Sequence, residues 1–151
     1  MLGARTVGLT LDELEVGQYA ELTRTVTEAH INQFAEASGD FNPLHVDEDF
    51  ARTTMFRGRI AHGLLPASYV SAVVGTMLPG PGALYLEQTL VFSRPTRIGD
   101  TCTARVTVKE IDRTTARVIL HTACYVGGEA VVEGEATVRV ARRRKKSSPV
   151  P

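Results

Sequence analysis

The chain has few cysteines and no apolar run long enough to cross a membrane. Cys102 and Cys124 are the only cysteines among 151 residues, and they have no CxxC spacing. We interpret them as buried thiols in a reducing cytosol. Apolar runs stay below the roughly 18 residues of a membrane span, and the first residues lack the charged-then-apolar pattern of a signal peptide. The sequence therefore predicts a cytoplasmic protein.

Two kinds of ligand site are also missing from the sequence. The only loop rich in glycine, LPGPG at 78–82, has proline where phosphate binding needs free backbone N–H groups. Asp40, His45 and His62 could bind a metal by residue type, but no HxxxH or CxxC spacing is present and no third ligand has a convincing location. We expect no metal and no phosphate-binding glycine loop.

The chain carries no net charge, but its charge is unevenly spread. Five of the 17 Lys and Arg residues lie at 142–146, which leaves 12 against 17 Asp and Glu in the rest. An acidic body argues against nucleic-acid binding. We interpret 142–151 as a disordered basic tail that follows a single domain, 1–141. An alternative is that the tail attracts an anionic ligand or partner.

The first half of the chain predicts two main helices. The earlier one follows a short strand at 18–26, with Thr25 and Glu28 as a capping box and Gly39 as its stop. The later one, 63–75, is nearly all apolar or small, which is typical of a helix buried on most sides. Pro66 fits there because the first helical turn has no backbone hydrogen bond to lose. We expect Gly75 to end this helix.

The second half of the chain predicts strands. Apolar residues alternate along several segments that are separated by turn residues. These segments are 84–93, 101–111, 116–126 and 130–140. Helices that come early and antiparallel hairpins that come late indicate an α+β fold, with one curved antiparallel sheet wrapped around the long apolar helix.

The loop SGDFNPLH contains a pair of residues suited to acid–base chemistry. Asp40 and His45 lie five residues apart across a turn that Pro43 stiffens. A carboxylate and an imidazole that share one water can activate it and also deliver a proton. Asn42 can orient a neighbour or cap the turn. A plain surface turn is the alternative interpretation of this loop.

A second element, IAHG at 60–63, favours the catalytic interpretation. It leads into the buried helix, whose first N–H groups are unpaired and partly positive. Gly63 has no side chain to obstruct a ligand, so its N–H can stabilise a developing enolate oxygen. An acid–base pair with such a donor is what the addition of water to a conjugated thioester requires. His62 itself is interpreted as a hydrogen-bonded structural residue.

The stretch from Phe34 to Ala51, FAEASGDFNPLHVDEDFA, resembles the motif of the MaoC-like, (R)-specific enoyl-CoA hydratases, the hydratase-2 family. The similarity spans roughly residues 10–140. It implies a hot-dog fold, a homodimer joined edge to edge, no cofactor, and hydration of trans-2-enoyl-CoA to (3R)-3-hydroxyacyl-CoA, which could supply polyhydroxyalkanoate synthesis or fatty-acid metabolism. It also implies that Asp40 and His45 hold the water, that Gly63 binds the thioester oxygen, and that Ser71 lines the acyl pocket.

Helical spacing adds Ala67 and Val74 to the acyl-pocket prediction, because they share a stripe with Ser71. Three alternatives remain on the same fold. They are a dehydratase acting on acyl-carrier-protein substrates, a thioesterase, and a non-catalytic module that binds acyl-CoA. The intact GDFNPLH loop weighs against the last two, whereas a carrier protein could meet the basic tail.

Overall fold

The computed structural model describes residue 1 and residues 3–142. One strand is followed by four helices and then by five strands. The helices are α1 (Glu28–Ser38), α2 (Pro43–Val46), α3 (Glu48–Thr53) and α4 (Leu64–Thr76). The strands are β1 (Tyr19–Thr25), β2 (Leu84–Gln88), β3 (Val91–Phe92), β4 (Thr101–Asp112), β5 (Arg117–Val126) and β6 (Glu129–Arg139). A 3-10 turn, Leu11–Glu13, precedes β1.

All six strands form one antiparallel sheet in the order β1-β4-β5-β6-β2, and the short β3 also pairs with β6. Helix α4 packs against β1, β4 and β5. The first strand precedes the helices, while the other five follow α4. The α+β fold expected from the sequence is therefore confirmed. No helix among the described residues has the length and apolarity needed to cross a membrane.

Helix α4 supplies the centre of the core. Its side chains Val70, Val73 and Val74 are at most 2% exposed, because they pack between the helix and the sheet. Pro66 is the third helical residue, so it costs no intrahelical hydrogen bond, as expected. Gly75 does not end the helix, contrary to the prediction. The helix continues to Thr76 and is capped at Met77, since an exposed glycine in the last turn weakens a helix without breaking it.

Two other boundaries differ from the sequence prediction. The cap of α1 is Thr27, whose side chain accepts the N–H of His30, whereas Thr25 is still paired in β1. The segment 84–93 is two strands and not one. The register with β6 is the same on both sides of the break, and Thr89 still bonds to the backbone of Glu135, while its carbonyl oxygen lies close against Gly134.

The two cysteines lie on neighbouring strands, Cys102 on β4 and Cys124 on β5, and both are buried and unbridged. The hydrogen bond between the two thiols, together with burial, raises the pKa of Cys124 far above its ordinary value. This confirms the prediction of buried thiols. Of the predicted tail, Arg142 is held by the β4–β5 turn, and residues 143–151 lie outside the described part of the chain.

The close contact between Gly134 and Thr89 leads to a prediction about stability. A Cβ atom at this position would lie 1.8 Å from the carbonyl oxygen of Thr89, so the backbone would have to move. We expect Gly134→Ala to lower the free energy of unfolding by about 1–3 kcal/mol. Gly75→Ala is the matched control, because a Cβ there meets nothing within 4 Å and the helix should gain up to about 1 kcal/mol. Equal unfolding midpoints of the two variants in urea would contradict the contact.

Candidate active site

The loop after α1 positions Asp40 by local hydrogen bonds. Gly39 ends α1 in the left-handed region, with φ of 78°, which turns the chain sharply towards the loop. A side-chain oxygen of Asp40 accepts the N–H of Asn42 at 3.1 Å. Asn42 in turn caps α2 by accepting the N–H of Leu44 at 3.0 Å. Of its two predicted roles, Asn42 therefore has the capping one, and the Asp40 side chain stays exposed at the surface.

His45 lies on α2 and is 8% exposed. Its Nδ1 is 2.8 Å from the carbonyl oxygen of Ile60. A carbonyl oxygen can only accept, so Nδ1 carries the ring proton of the neutral form. The unprotonated Nε2 is then the atom that is available to take a proton. This is the tautomer that a general base at this position needs.

His62 connects the two members of the pair. Its Nε2 donates to the backbone oxygen of Asp40 at 2.8 Å, and its ring lies with its centroid 4.0 Å from that of His45. Phe34 covers another side of the ring at 4.9 Å. The side chain is 2% exposed, and its Nδ1 is buried without a partner. His62 is thus the structural histidine expected, and it ties the Asp40 loop to the start of α4.

Gly63 precedes the first residue of α4, as predicted, and its N–H takes part in no hydrogen bond within the described residues. A Cβ at this position would lie 2.8 Å from the ring of Phe92, so only glycine leaves the approach open with the ring in place. Gly63 and His45 line one cavity of about 150 Å³. Its other walls include Pro66, Phe92 and Val131. The cavity is therefore mainly apolar, with His45 and Gly63 in its wall.

The structure brings together three possible metal ligands, where the sequence could not locate a third. Asp40, His45 and His62 each offer one possible metal-ligand atom, and these three atoms lie within 4.8 Å of one another. A carboxylate oxygen and two imidazole nitrogens are ligands that zinc accepts. The absence of a metal, expected from the sequence, stays a prediction.

The residues predicted to form the acyl pocket, Ala67, Ser71 and Val74, do not line the cavity beside Gly63. Val74 is 1% exposed. It packs in the core between α4 and the sheet, and its acyl-pocket role stays a prediction. Ala67 is half-buried and Ser71 is exposed, and neither lines the cavity beside Gly63. Their role stays a prediction.

Sequence reasoning missed Arg59 and Phe92. The guanidinium of Arg59 is 8% exposed and donates to the backbone oxygen of His45 at 2.6 Å and to Glu28 on α1. It therefore holds α2 against α1. Phe92 closes the cavity over Gly63. Neither residue has a sequence signal, since a single arginine and an apolar residue in a strand are both common.

Comparison with known proteins places these residues in a family. The family described as MaoC like domain matches residues 12–127. This chain belongs to the MaoC-like family. It is 52% identical over 132 residues to an (R)-specific enoyl-CoA hydratase of Rhodospirillum rubrum, covering 87% of this chain and 92% of that protein.

Two solved structures agree with the family and with the hot-dog fold. The unliganded R-hydratase PhaJ1 of Pseudomonas aeruginosa superposes with a TM-score of 0.85 at 40% identity, covering 95% of each chain. The (R)-hydratase of Aeromonas caviae, described as involved in PHA biosynthesis, superposes with a TM-score of 0.82 at 44% identity. It covers 84% of this chain and 97% of its own. The MaoC-like identity read from the GDFNPLH loop and the hot-dog fold are thus confirmed.

Electrostatics in the MaoC-like site favour a neutral His45. Burial is the main cause that lowers the pKa of His45, and the neighbouring His62 acts in the same direction. The hydrogen bond to Ile60 and the charge of Asp40 oppose the shift without cancelling it. His45 is therefore unprotonated at neutral pH, as a base must be.

A titration tests this state. The lowered pKa means that the folded protein resists protonation of His45. The stability that neutral His45 contributes to the folded protein is therefore lost as the pH drops below about 6.5, the ordinary pKa of histidine. We expect the His45 ring to titrate below that value in NMR spectra of the folded protein. The signal is assigned by its loss in His45→Gln. A midpoint at or above the ordinary value would show that the hydrogen bond to Ile60 and the Asp40 charge together outweigh burial.

Proposed function

We infer that this chain catalyses the reversible hydration of a trans-2-enoyl-CoA to the (3R)-3-hydroxyacyl-CoA. It is a hydro-lyase, in line with its relatives that are named (R)-specific enoyl-CoA hydratase. The observation that carries the proposal is that His45 and Gly63 line one cavity, with a carboxylate oxygen of Asp40 within 4.8 Å of a ring nitrogen of His45.

The proposed mechanism uses a water held between the Asp40 carboxylate and Nε2 of His45. As the water oxygen bonds to the β-carbon, the pair accepts one of its protons. The electron pair of the double bond moves towards the thioester carbonyl, and the N–H of Gly63 stabilises the enolate oxygen. One such donor is worth roughly 3–4 kcal/mol. The pair then returns a proton to the α-carbon, so the enzyme ends unchanged.

We propose further that no cofactor takes part, because water and the thioester supply every atom of the product. The apolar lining formed by Pro66, Phe92 and Val131 would face the reacting part of the acyl group and exclude bulk water. Ala67, Ser71 and Val74 remain our candidates for the more distant acyl chain. A role in polyhydroxyalkanoate synthesis is supported by the description of the Aeromonas caviae relative.

We propose that the protein is a cytoplasmic homodimer joined at the β2–β3 edge of the sheet. This edge carries apolar side chains that are 39–65% exposed, namely Leu84, Leu86, Val91 and Phe92. An unpaired strand edge with such residues is a ready template for pairing with a second copy. Two unbridged thiols support the cytoplasmic location.

The alternative functions have less support. A dehydratase that acts on acyl-carrier-protein substrates would use the same Asp40 and His45, so comparison of CoA and carrier-protein thioesters as substrates would separate it. A thioesterase would release free thiol from saturated acyl-CoA. A binding module would hold crotonyl-CoA without changing its enoyl absorbance.

The acid–base assignment predicts the behaviour of two variants. Asp40→Asn and His45→Gln should each lower the hydration rate of crotonyl-CoA by roughly 100-fold or more, because each change removes a proton acceptor at nearly constant shape. Asp49→Asn and His121→Gln, at sites away from the cavity, are the matched controls. Enoyl absorbance measures the rate, and chiral analysis should give the (3R) product. Near-normal turnover in either catalytic variant would remove that residue from the mechanism.

A second pair of variants separates the two contacts of His62. His62→Gln can keep a donor near the backbone oxygen of Asp40, whereas His62→Phe keeps a ring against His45 but has no donor. We expect His62→Phe to lower kcat by about 10–100-fold with little change in KM, because a misplaced Asp40 loop misorients the water. His62→Gln should retain kcat to within several-fold.

The free energies of unfolding of the two His62 variants provide the control for a purely structural effect. Equal kcat values for the two, or a loss of kcat that follows the loss of stability, would contradict a positioning role for the hydrogen bond.

A further inference from the structure

A second polar cavity, of about 460 Å³, lies at the far end of the sheet from the catalytic loop. Three arginines line it, Arg117 on β5, Arg139 on β6 and Arg142 beyond β6. The remaining walls come from Leu86 and the turn Thr114–Ala116. Among the described residues, the lining contains no carboxylate, so the cavity is strongly cationic in a chain whose net charge is zero.

Two of the arginines face each other directly. Arg117 and Arg139 are cross-strand partners in the β5–β6 register. Like charges in such positions repel, and their repulsion destabilises the pairing unless a counter-charge lies between them. Within the described part of the chain, none of the three guanidinium groups forms an ion pair.

The neighbouring carboxylate is already engaged elsewhere. Asp112 lies opposite Arg117 in the β4–β5 register. One of its oxygens accepts the N–H groups of Thr114 and Thr115, and the other accepts the Thr115 hydroxyl at 2.6 Å. Asp112 therefore holds the turn in shape. Its charge also acts on Arg117, but it forms no ion pair with Arg117 and does not line the cavity.

Arg142 is fixed at the rim of the cavity. It donates to the backbone oxygens of Arg113 at 2.9 Å and Thr114 at 2.6 Å. Four more basic residues follow it directly in the sequence, at 143–146, outside the described part of the chain. The basic run that the catalytic function does not use thus begins at this cavity.

The cavity is separate from the catalytic one. Phe92, which lines the catalytic cavity, pairs with Val132 of β6. Arg139 is seven residues further along the same strand, which corresponds to about 23 Å at roughly 3.3 Å per residue. A ligand in the arginine cavity would not touch Asp40 or His45 unless it were long enough to span this distance.

We propose that the arginine cavity is a binding site for a phosphate monoester or diphosphate group. Guanidinium groups match phosphate oxygens in pairs, and Arg117 and Arg139 would bind the group from two sides. The turn at Thr114 adds a hydroxyl. An anion between the two arginines would also relieve their repulsion. The phosphate could come from the nucleotide part of the CoA thioester or from a separate phosphorylated ligand.

Calorimetric titration with pyrophosphate tests the site on the full chain at low salt. The double variant Arg117→Gln/Arg139→Gln should bind at least about tenfold more weakly than the wild type. Arg105→Gln/Lys109→Gln removes the same charge from residues paired with Glu21 and Glu135, and it should bind like the wild type. Pyrophosphate should also raise the Tm of the wild type and leave that of the arginine double variant unchanged.

Three results would overturn the site. They are no pyrophosphate binding by the wild type, equal binding by the arginine double variant, and an equal loss in the control variant. Loss of folding does not obscure the test, because removal of the facing charges should maintain or raise the Tm in phosphate-free buffer.

Hydration kinetics with two substrates identify the source of the phosphate. Of the experiments on this cavity, only these kinetics rest on the proposed function. If the nucleotide of CoA binds there, the arginine double variant should show a higher KM for crotonyl-CoA and an unchanged KM for crotonyl-pantetheine, which has no nucleotide. If both KM values are unchanged while pyrophosphate binding is lost, a separate phosphorylated ligand is the occupant. Equal rises in the KM values for both substrates would contradict the separation of the arginine cavity from the catalytic one. If the wild type hydrates neither substrate, the proposed function fails, whereas the pyrophosphate titration still decides the site.

Discussion

The hydrogen bond from His62 to the backbone oxygen of Asp40 is the contact on which the site depends. It joins the loop after α1 to the start of α4, two elements that are 22 residues apart in the chain. Because His62 is 2% exposed, water does not compete for this bond. The same ring stacks on His45, so one buried side chain fixes the backbone at Asp40 and the position of the base. A loop that would otherwise be a mobile surface turn thereby becomes a rigid part of the fold.

Backbone carbonyl groups determine the chemistry of both histidines. The oxygen of Ile60 accepts from Nδ1 of His45, and the oxygen of Asp40 accepts from Nε2 of His62. Each contact places the ring proton on the bonded nitrogen and leaves the other nitrogen unprotonated. Burial lowers the pKa of His45 and keeps it in that neutral form. The fold thus keeps His45 neutral although the charge of Asp40 acts in the opposite direction.

The two cavities differ strongly in their walls. Helix α4 fills the curve of the sheet with small and branched apolar side chains, and the N–H of Gly63 at its start pairs with no other described residue. The catalytic cavity therefore has apolar walls with a few polar atoms. The arginine cavity is lined from the end of β6 and the start of β5, where Arg117, Arg139 and Arg142 remain at the surface. One cavity is therefore enclosed by apolar side chains, and the other by solvated charge.

The sequence by itself determined most of the elements, the family and the candidate acid–base pair, because these depend on local patterns. Alternation of apolar residues indicates strands, a left-handed glycine ends α1, and Asp40 and His45 share one short loop. Only the tertiary structure decided the partner of His62, the clamp by Arg59 and the closure of the cavity by Phe92, since each joins residues more than twenty positions apart or on different elements. It also decided that Val74 faces the sheet, because helical spacing groups residues on a stripe but does not say which stripe the core will cover.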